Sequence, residues 1–415
     1  MTPESSREWL SSLYVPRDRS ISSLASRRSV HHASKGRRWP RRVFIGVAIL
    51  LILALIGGVG GWFYVNSVLG SIKRVPVPTI TPETSGSPID ILLVGSDSRA
   101  FVDSSGQASS FGSATSLSGQ RSDVIIIVRL VPSTRQIEML SIPRDTYVPI
   151  PGTGGSNRVN AAFNTGPGLL VQTIQQDFGI PVNHVVVANF LGFEGMVNAL
   201  GGISLDFPYP VRDPDSGLNV TTVGCQTVNG TGALALVRSR HLYYFKGGTW
   251  NYDGMSDWSR IQRQQAFFHA VLNKANGEFP NILAINSFLH ATASDLQVDS
   301  GFGSREMISL AMRFRGVASA GLATEVLPTY GTTIDGNDVL IEAQPYAHRM
   351  ISSFLAIGSS TAKAQAGTST SSAGKTSSAA TTTTVALTVA TTTPGGQVVF
   401  DNPRDLPEPW NPKPC

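Results

Sequence analysis

Arginine and aspartate residues occur together at the ends of two neighbouring apolar segments. The pairs are Arg121 with Asp123, and Arg144 with Asp145. The apolar segments cover residues 124–130 and 136–142, and the turn-forming sequence 131–135 between them predicts a β-hairpin. The open end of this hairpin would bring the two pairs together as a cluster of opposite charges. The hairpin alone favours an ordinary salt-bridged sheet edge, so a functional interpretation depends on the other charged residues.

Several further arginines stand near the ends of motifs. Together with Arg121 and Arg144, they are Arg99, Arg238, Arg240 and Arg260. The planar guanidinium group donates hydrogen bonds in pairs and matches the oxygens of a phosphate. Arg238 and Arg240 are two residues apart, so in an extended segment both side chains point the same way. Any one of these arginines is explained by a solvated surface position, but the set predicts a polyanion-binding pocket.

Two aspartates lie where an apolar strand meets a loop. Asp97 follows the apolar segment 89–94, and Asp123 precedes the first strand of the hairpin. Mg²⁺ binds one or two protein carboxylates and takes its remaining oxygens from water and substrate phosphate. The two aspartates are therefore candidate ligands for Mg²⁺, or for Mn²⁺. Capping of a turn is the alternative, and it is the more common role of a single aspartate.

The segment 257–276 has helical spacing with an unusual apolar stripe. At 100° per residue, the stripe contains Ile261, Phe268, Val271 and Leu272, but also Asp257, Arg260 and Gln264. Ionisable side chains on a core-facing stripe are costly unless they are paired or bind a ligand. A structural Asp257–Arg260 pair is one explanation. The first turn of a helix directed at an anion is the other, since its N–H groups and dipole favour negative charge.

An uncharged segment of 23 residues, 43–65, is long enough to span a bilayer as a helix. The 42 residues before it contain ten Lys and Arg against three Asp and Glu. The positive-inside rule therefore predicts that they lie in the cytoplasm and that everything after about residue 70 lies outside. The formal net charge of +5 belongs to this arm, so it does not indicate a nucleic-acid-binding domain.

Helices and strands alternate after residue 89. Helices are predicted at 169–178, 193–200, 257–276, 281–290, 303–315 and 343–356, and strands at 89–94, 124–130, 136–142, 184–189, 203–207 and 325–327. This alternation predicts an α/β layered domain. The predicted organisation is a disordered basic arm (1–42), a transmembrane helix (43–65), a spacer (66–88), a folded outer domain (89–357), a Ser/Thr/Ala-rich flexible stalk (358–400) and a Pro-rich tail (401–415).

The Pro-rich tail is not expected to pack against the core. It carries Cys415, and the only other cysteine is Cys225. Both fall on the predicted outer side, where a disulfide between them is compatible with an oxidising compartment. Two unpaired thiols explain the sequence nearly as well, and two cysteines cannot form a cysteine-type metal site.

A series of short motifs resembles the LytR-CpsA-Psr family, the bacterial cell-wall glycopolymer ligases. In chain order they are Val94-Gly-Ser-Asp97-Ser-Arg99, Arg121-Ser-Asp123, Ser141-Ile-Pro-Arg144-Asp145, Arg158-Val-Asn160-Ala-Ala-Phe163, Ala199-Leu-Gly-Gly202, Val237-Arg238-Ser-Arg240, and Asp257 followed by Arg260 and Arg263-Gln264. The resemblance covers roughly residues 89–275, and it is specific because many motifs recur in the same order.

The resemblance implies an α-β-α domain with a central mixed sheet, anchored in the bacterial plasma membrane by one helix. It implies transfer of a phosphate-linked glycopolymer from a polyprenyl-pyrophosphate carrier to a peptidoglycan hydroxyl. The implied metal ligands are Asp97 and Asp123. The implied pyrophosphate-binding residues are Arg99, Arg121, Arg144, Arg158, Arg238, Arg240, Asp257, Arg260 and Gln264, and the implied catalytic residues are Asp97, Arg121, Asp123, Arg144 and Asp145. An apolar interior formed by helices 169–178 and 257–276 over the sheet would receive the isoprenoid.

The sequence departs from the family pattern at three places. Val124 stands where the family usually has threonine, and Arg158 stands where lysine is frequent, so the charge there is retained but not its geometry. Residues 100–118 form a long Ser/Gly-rich insertion between two site motifs. Two alternatives to the transferase stay open: hydrolysis of a lipid pyrophosphate by the same pocket, and a non-catalytic wall-binding or regulatory membrane protein.

Overall fold

The computed structural model describes residues 59–96, 122–278, 293, 296–317, 321–359, 391–392, 398–399 and 409–415. The chain divides into two compact units, residues 1–59 and 60–415, and almost all described residues belong to the second. The basic arm, most of segment 43–65, the insertion 100–118, the helix predicted at 281–290 and nearly all of the stalk lie outside the described residues.

A seven-stranded mixed sheet forms the centre of the second unit. Its strands are β1 (Lys73–Val75), β2 (Ile89–Ser96), β3 (Ser122–Val131), β4 (Gln136–Ser141), β7 (His184–Asn189), β14 (Leu296–Asp299) and β15 (Leu322–Val326), in the order β1-β14-β7-β2-β3-β4-β15. β2 pairs with β3 antiparallel and with β7 parallel. β3 and β4 form the predicted hairpin, with Val131 opposite Gln136 next to the turn. The mixed α/β fold is therefore confirmed.

Helices cover both faces of the sheet. They are α1 (residues 59–70), α2 (Val159–Ala162), α3 (Pro167–Phe178), α4 (Phe190–Ala199), α5 (Gly230–Arg238), α6 (Asp257–Glu278), α7 (Ser304–Phe314) and α8 (Tyr346–Ala356). α3 begins with Pro167 at its first position and ends at Gly179, which has the left-handed conformation that glycine tolerates. The predicted helix 169–178 ends where α3 ends, at Phe178 before Gly179, but α3 begins two residues earlier than predicted.

Alternation along the strands places α3 and α6 on opposite faces. Ile125, Ile127 and Leu140 share an apolar cluster with α3 and α8, whereas Ile126 and Met139 share one with Phe268 and Leu272 of α6. Successive side chains of a strand point to opposite faces of a sheet. The expectation that α3 and α6 together form one apolar interior for an isoprenoid is therefore wrong, because the sheet lies between them.

A second group of elements packs beside the sheet around its own apolar cluster. It contains α4, α5 and short strands β8 (Ile203–Phe207), β9 (Val211–Asp213), β10 (Leu218–Val220), β11 (Gly224–Val228), β12 (Tyr243–Lys246) and β13 (Thr249–Tyr252). α6 contributes Phe267 and Ala270 to this cluster and Leu272 to the cluster under the main sheet. One long helix thus connects both parts of the domain.

Two hairpins complete the described domain. β5 (Tyr147–Ile150) pairs with β6 (Gly155–Arg158), and β16 (Thr329–Ile334) pairs with β17 (Asn337–Glu342). The β16–β17 hairpin was not predicted, since its polar residues have no clear alternation. It follows β15 directly, and the backbone N–H of Leu340 donates to the carbonyl of Asp145 at 2.9 Å. This contact fixes the hairpin to the loop after β4.

The C-terminal segment packs against the domain, contrary to expectation. β20 (Lys413–Pro414) pairs with β8, and a disulfide joins Cys415 to Cys225. Trp410 stacks on Tyr244 with ring centroids 4.6 Å apart. The Pro-rich composition concealed these contacts because they depend on a few side chains and one long-range covalent bond. Strands β18 (Thr391–Thr392) and β19 (Val398–Val399) form a separate two-stranded ladder.

No helix among the described residues combines enough length with enough apolarity to cross a bilayer. Only the end of the predicted transmembrane segment, from residue 59, falls within the described residues, where it belongs to α1.

We predict that Asn411→Ala lowers the free energy of unfolding by about 1–3 kcal/mol, because it removes one acceptor of a buried guanidinium nitrogen, which keeps its bond to Asp253. Arg263 is fully buried, and its Nη1 donates to Asn411 Oδ1 at 2.8 Å. Urea denaturation measures the change, and Asn219→Ala, on an exposed strand position, is the control. Equal stability of the two variants would show that the C-terminal segment does not satisfy Arg263.

Candidate functional site

Three members of the two charged pairs converge at the open end of the β3–β4 hairpin, as predicted. Asp123 is the second residue of β3, and Arg144 follows the end of β4, which pairs with β3. Arg144 Nη1 donates to Asp123 Oδ1, and Arg144 Nε lies 3.4 Å from Asp145 Oδ2. The hairpin therefore brings Asp123, Arg144 and Asp145 into direct contact. Arg121, the remaining member of the two pairs, lies outside the described residues, as do Asp97 and Arg99.

Arg144 is held by three carboxylates. Burial alone would lower the pKa of Arg144, but Asp123, Asp145 and Asp257 together outweigh it and raise this pKa. Asp257 is the first residue of α6. Asp257 acts on Arg144 through its charge, whereas Asp123 and Asp145 also pair with it directly. The guanidinium of Arg144 is therefore fixed in its charged form between two elements.

Asp257 binds two further arginines. Arg240 donates to both of its carboxylate oxygens, from Nε at 2.7 Å and from Nη2 at 3.2 Å. Arg260 Nη1, one helical turn away on α6, lies 3.5 Å from Asp257 Oδ1. The side chain of Arg240 is 40% exposed. It therefore lies at the mouth of the cluster, and Arg260 lies beneath it.

Arg260 is buried without full compensation. It is 5% exposed, and its Nε has no hydrogen-bond partner among the described residues. Burial lowers the pKa of Arg260, and the neighbouring charges of Arg144 and Arg240 lower it further, although Asp257 and Asp123 oppose them. Buried charges are stable only when counter-charges and hydrogen bonds satisfy them. The described part of the cluster therefore favours an added anion next to Arg260.

Arg158 connects the cluster to the β16–β17 hairpin. Its Nε lies 3.5 Å from Asp145 Oδ1. Its Nε and Nη2 also donate to the backbone carbonyl of Asp338 at 3.2 and 2.7 Å. One side chain thus contacts both the loop after β4 and strand β17. In the described residues the cluster contains four arginines, 144, 158, 240 and 260, against three aspartates, 123, 145 and 257.

Arg238 does not lie in an extended segment with Arg240, as the sequence predicted. It is the last residue of α5, and Ser239 is the residue that ends the helix. The helix forms because Asn229 caps its N-terminus and an apolar stripe including Leu234 and Leu236 is buried. Arg238 interacts electrostatically with Glu194 of α4. The two arginines are therefore in different structural environments, despite their spacing.

Gln264 lies on the buried face of α6, as predicted, but its amide is used internally. It is 5% exposed, and its Nε2 donates to the carbonyl of Val237 at 3.1 Å. Ile261 is likewise buried, so the core-facing stripe of the predicted helix is confirmed. Gln264 connects α6 to the end of α5, just before the loop that carries Arg240. This hydrogen bond holds the end of α5 and so orients the loop that follows it. The amide hydrogen donated to Val237 is not available to a ligand.

Buried polar residues outside the predicted set of site residues position Arg240, and among them Arg263 belongs to one of the quoted family motifs. Asp213 Oδ2 accepts hydrogen bonds from the Ser239 hydroxyl at 2.7 Å and from the backbone N–H of Arg240 and His241 at 3.0 Å. From the other side, Arg263 Nη2 donates to the carbonyl of Ser239 at 2.7 Å. Arg263 also pairs with Asp253 at 3.1 Å, both side chains being fully buried. Only the burial of these polar groups marks them, and no sequence signal for that burial was present.

The described residues contain one group that could hold a metal ion, and it is remote from this cluster. It consists of Glu83, His184 and Glu306, whose ligand atoms lie within 4.8 Å of one another. This arrangement is compatible with a divalent cation. His184 starts β7 beside Ile91, whereas the cluster lies where β2 ends beside Asn189. Five residues of strand separate the two, roughly 17 Å, so the group cannot hold a metal at the arginine cluster.

Asp123 itself suits a hard cation. Its Oδ1 accepts from Arg144, and no hydrogen bond to its Oδ2 is found in the described part of the chain. The side chain is 21% exposed. One available carboxylate oxygen next to Arg144 meets the usual requirement of Mg²⁺ for few protein ligands.

Two carboxyl groups lie close together where the end of β17 meets α3. Glu342, the last residue of β17, is close to Asp177 of α3. Burial, together with the charge of Asp177, raises the pKa of Glu342 to about 7. Burial also raises the pKa of Asp177. A proton on this pair therefore stabilises the attachment of the hairpin to α3.

Comparison with protein families identifies one match. A model described as the LytR_cpsA_psr family matches residues 67–353. The chain is 30% identical over 287 residues to the probable cell wall biosynthesis protein LcpB of Corynebacterium glutamicum, covering 68% of this chain and 62% of that protein. The chain thus spans less than two thirds of that relative. It is 26% identical over 333 residues to the polyisoprenyl-teichoic acid–peptidoglycan teichoic acid transferase TagU of Oceanobacillus iheyensis, covering 75% of this chain and 92% of that protein.

Solved structures share the fold. The LytR-Csp2A-Psr enzyme from Actinomyces oris superimposes with a TM-score of 0.55 at 25% identity, covering 68% of this chain and 95% of that chain. TagV of Bacillus subtilis superimposes with a TM-score of 0.51 at 23% identity, covering 66% and 98%. The likeness to TagV concerns the fold alone.

We predict that Glu342→Gln reduces the pH dependence of stability. Because the folded pKa of about 7 exceeds the ordinary value of 4.5, the folded state keeps a proton that the unfolded state has lost. The stabilisation is present below about pH 4.5 and is lost as the pH rises through 7. Urea midpoints at pH 5 and pH 8 should therefore differ less in the variant than in the wild type. Asp206→Asn, at an exposed position of β8, should behave like the wild type. An unchanged difference in Glu342→Gln would contradict the assignment.

Proposed function

We propose that this chain, which belongs to the LytR-CpsA-Psr family, transfers a phosphate-linked glycopolymer from a polyprenyl-pyrophosphate carrier to a hydroxyl of peptidoglycan. The family model covers residues 67–353, more than half of the chain. The observation that carries the proposal is the under-compensated arginine cluster around the buried Arg260. Relatives such as TagU are named as transferases, which supports an enzyme rather than a binding protein.

The pyrophosphate of the carrier would bind between the guanidinium groups. Arg240 and Arg144 offer charge-assisted hydrogen bonds from two different elements, and Arg260 supplies positive charge from beneath. Phosphoryl transfer makes the protein responsible mainly for positioning and for stabilising negative charge. Asp257 holds Arg240 and Arg260 at a fixed separation, so little reorganisation is needed when the substrate binds.

The chemical step exchanges one oxygen on phosphorus for another. A hydroxyl oxygen of the acceptor attacks the phosphorus that carries the glycan, and a new P–O bond forms. The bond to the bridging oxygen of the pyrophosphate breaks, and polyprenyl phosphate leaves with the electron pair. The hydroxyl proton passes to a carboxylate, for which Asp145 is our candidate because its contacts with Arg144 and Arg158 hold it in place beside the cluster.

Asp97 and Asp123 are our candidate ligands for Mg²⁺, or for Mn²⁺. When bound, such an ion would neutralise charge on the pyrophosphate oxygens. Asp123 supports this assignment through its position beside Arg144 and its partly exposed carboxylate. Arg144 would keep the Asp123 carboxylate oriented towards the substrate. Arg99 and Arg121 are proposed to contribute to the same site.

We further propose that the catalytic domain lies outside the bacterial plasma membrane on a single-pass anchor with a cytoplasmic N-terminus. The uncharged segment 43–65 and the ten Lys and Arg before it support this orientation. The carrier lipid and peptidoglycan both meet at that membrane surface. The disulfide between Cys225 and Cys415 is consistent with an oxidising compartment.

We predict that Arg240→Ala and Asp123→Ala each reduce transfer by about 100-fold, the usual effect of removing one group that stabilises transition-state charge. The full-length protein would be incubated with Mg²⁺, a polyprenyl-pyrophosphate glycan labelled in the sugar, and soluble peptidoglycan strands. Label on peptidoglycan is the readout. Arg349→Ala on the exposed face of α8 is the matched control and should retain wild-type transfer.

Two results would contradict the proposal. Cleavage of the carrier lipid without label on peptidoglycan would identify a lipid-pyrophosphate phosphatase. Absence of both cleavage and lipid binding, with several metals, would favour a non-catalytic wall-binding or regulatory protein.

A further inference from the structure

A cavity of about 510 Å³ opens next to the arginine cluster. One wall is the start of α6 with the residues before it, and the opposite wall is the β16–β17 hairpin. Asp145, Arg240 and Asp257 of the cluster also line the cavity. The lining consists of Asp145, Arg240, Met255, Ser256, Asp257, Trp258, Gly331, Thr332, Thr333, Asp338, Val339 and Leu340. Its volume lies within the range of about 300–1,000 Å³ that is typical of small-molecule sites.

The lining combines polar groups with one large aromatic surface. Seven of its twelve residues have charged or hydroxyl side chains, and Trp258 contributes an indole. A pyranose ring has this same combination, since its hydroxyls lie around an apolar C–H face that packs on aromatic rings. An isoprenoid chain would leave the polar groups without partners, which is costly in a desolvated pocket. The chemistry of the cavity therefore favours a sugar over the lipid.

The outer part of the cavity is open to solvent. Gly331, Thr333 and Asp338 are exposed, whereas Val339, further in, is buried. The Thr333 hydroxyl donates to Asp338 Oδ1 at 3.0 Å across the hairpin. An insoluble polymer can reach such a cleft from outside, because only its end or one exposed sugar has to enter.

The walls are fixed relative to the cluster. Leu340 N–H donates to the Asp145 carbonyl at 2.9 Å, and Arg158 donates to the Asp338 carbonyl. On the opposite wall, Ser256 has φ = 44°, a left-handed conformation that is uncommon for a residue other than glycine. Asp253 Oδ1 accepts from the backbone N–H of Met255 at 3.0 Å and supports this turn. Such backbone strain is concentrated at functional sites.

We propose that this cavity is the acceptor subsite, which seats a peptidoglycan sugar with Trp258 against its ring and a hydroxyl directed at Asp145. The inference rests on the proposed transferase function. Asp145 lines the cavity and also contacts Arg144, which binds Asp123. A hydroxyl next to Asp145 is therefore close to phosphorus held by Arg144. An acceptor hydroxyl requires a nearby base, whereas a sugar of the donor does not, so the position of Asp145 favours the acceptor.

The test compares acceptor and donor kinetics in the full-length protein. Trp258→Ala should raise KM for soluble N-acetylglucosamine–N-acetylmuramic acid strands about tenfold, while KM for the polyprenyl-pyrophosphate donor stays at the wild-type value. Thr333→Val removes one hydroxyl from the solvent-exposed part of the cavity and leaves Asp257 unchanged. This variant should also raise the acceptor KM. Trp250→Ala, an exposed tryptophan outside the cavity, is the matched control and should leave both constants unchanged.

Direct binding separates this proposal from the transferase proposal. Isothermal titration of the same glycan strands into wild type and Thr333→Val requires no turnover, and the variant should bind about tenfold more weakly. Weaker binding would support the subsite even if no transfer were detected. A rise in donor KM with unchanged acceptor KM would assign the cavity to the donor glycan instead. Unchanged constants and unchanged binding in both variants would overturn the subsite while leaving the transferase intact.

Discussion

The buried charge of Arg260 is the constraint on which the rest of the site depends. A guanidinium that is 5% exposed, with an unsatisfied Nε and two other arginines nearby, is unfavourable in the described domain. Proteins keep such groups where a ligand supplies the missing charge. Asp257 compensates part of the cost, and it also holds Arg240 at the surface. An anion beside the first turn of α6 would therefore offset part of this cost.

The surrounding elements make this arrangement rigid. The β3–β4 hairpin fixes Arg144 between Asp123 and Asp145, and α6 connects the main sheet to the second cluster of strands and helices. Asp213 and Arg263 hold the loop of Arg240 through its N–H and carbonyl groups. Even the C-terminal segment contributes, because Asn411 satisfies Arg263. Preorganised donors of this kind stabilise developing charge without reorganisation during the reaction.

Local sequence patterns predicted the main strands and helices but not all of the contacts between them. The periodicity of residues 124–142 and 257–276 gave the hairpin and the helix, together with the convergence of Asp123, Arg144 and Asp145. Spacing alone misplaced Arg238, because capping and apolar burial continue α5 to that residue. The family resemblance was taken to imply that α3 and α6 share one interior, although alternate residues of β3 face them separately. Asp213 and Asn411 act through tertiary contacts, which local periodicity does not encode.

The most direct test of the central claim is to replace Arg260 by methionine, which keeps much of its volume and removes the charge. If the cluster exists to bind pyrophosphate, Arg260→Met should keep or raise the melting temperature, since a poorly compensated buried charge is removed. Its Kd for Mg²⁺-pyrophosphate, measured by isothermal titration on the full-length protein, should increase about tenfold. A lower melting temperature with unchanged pyrophosphate binding would contradict the account and make Arg260 a structural residue.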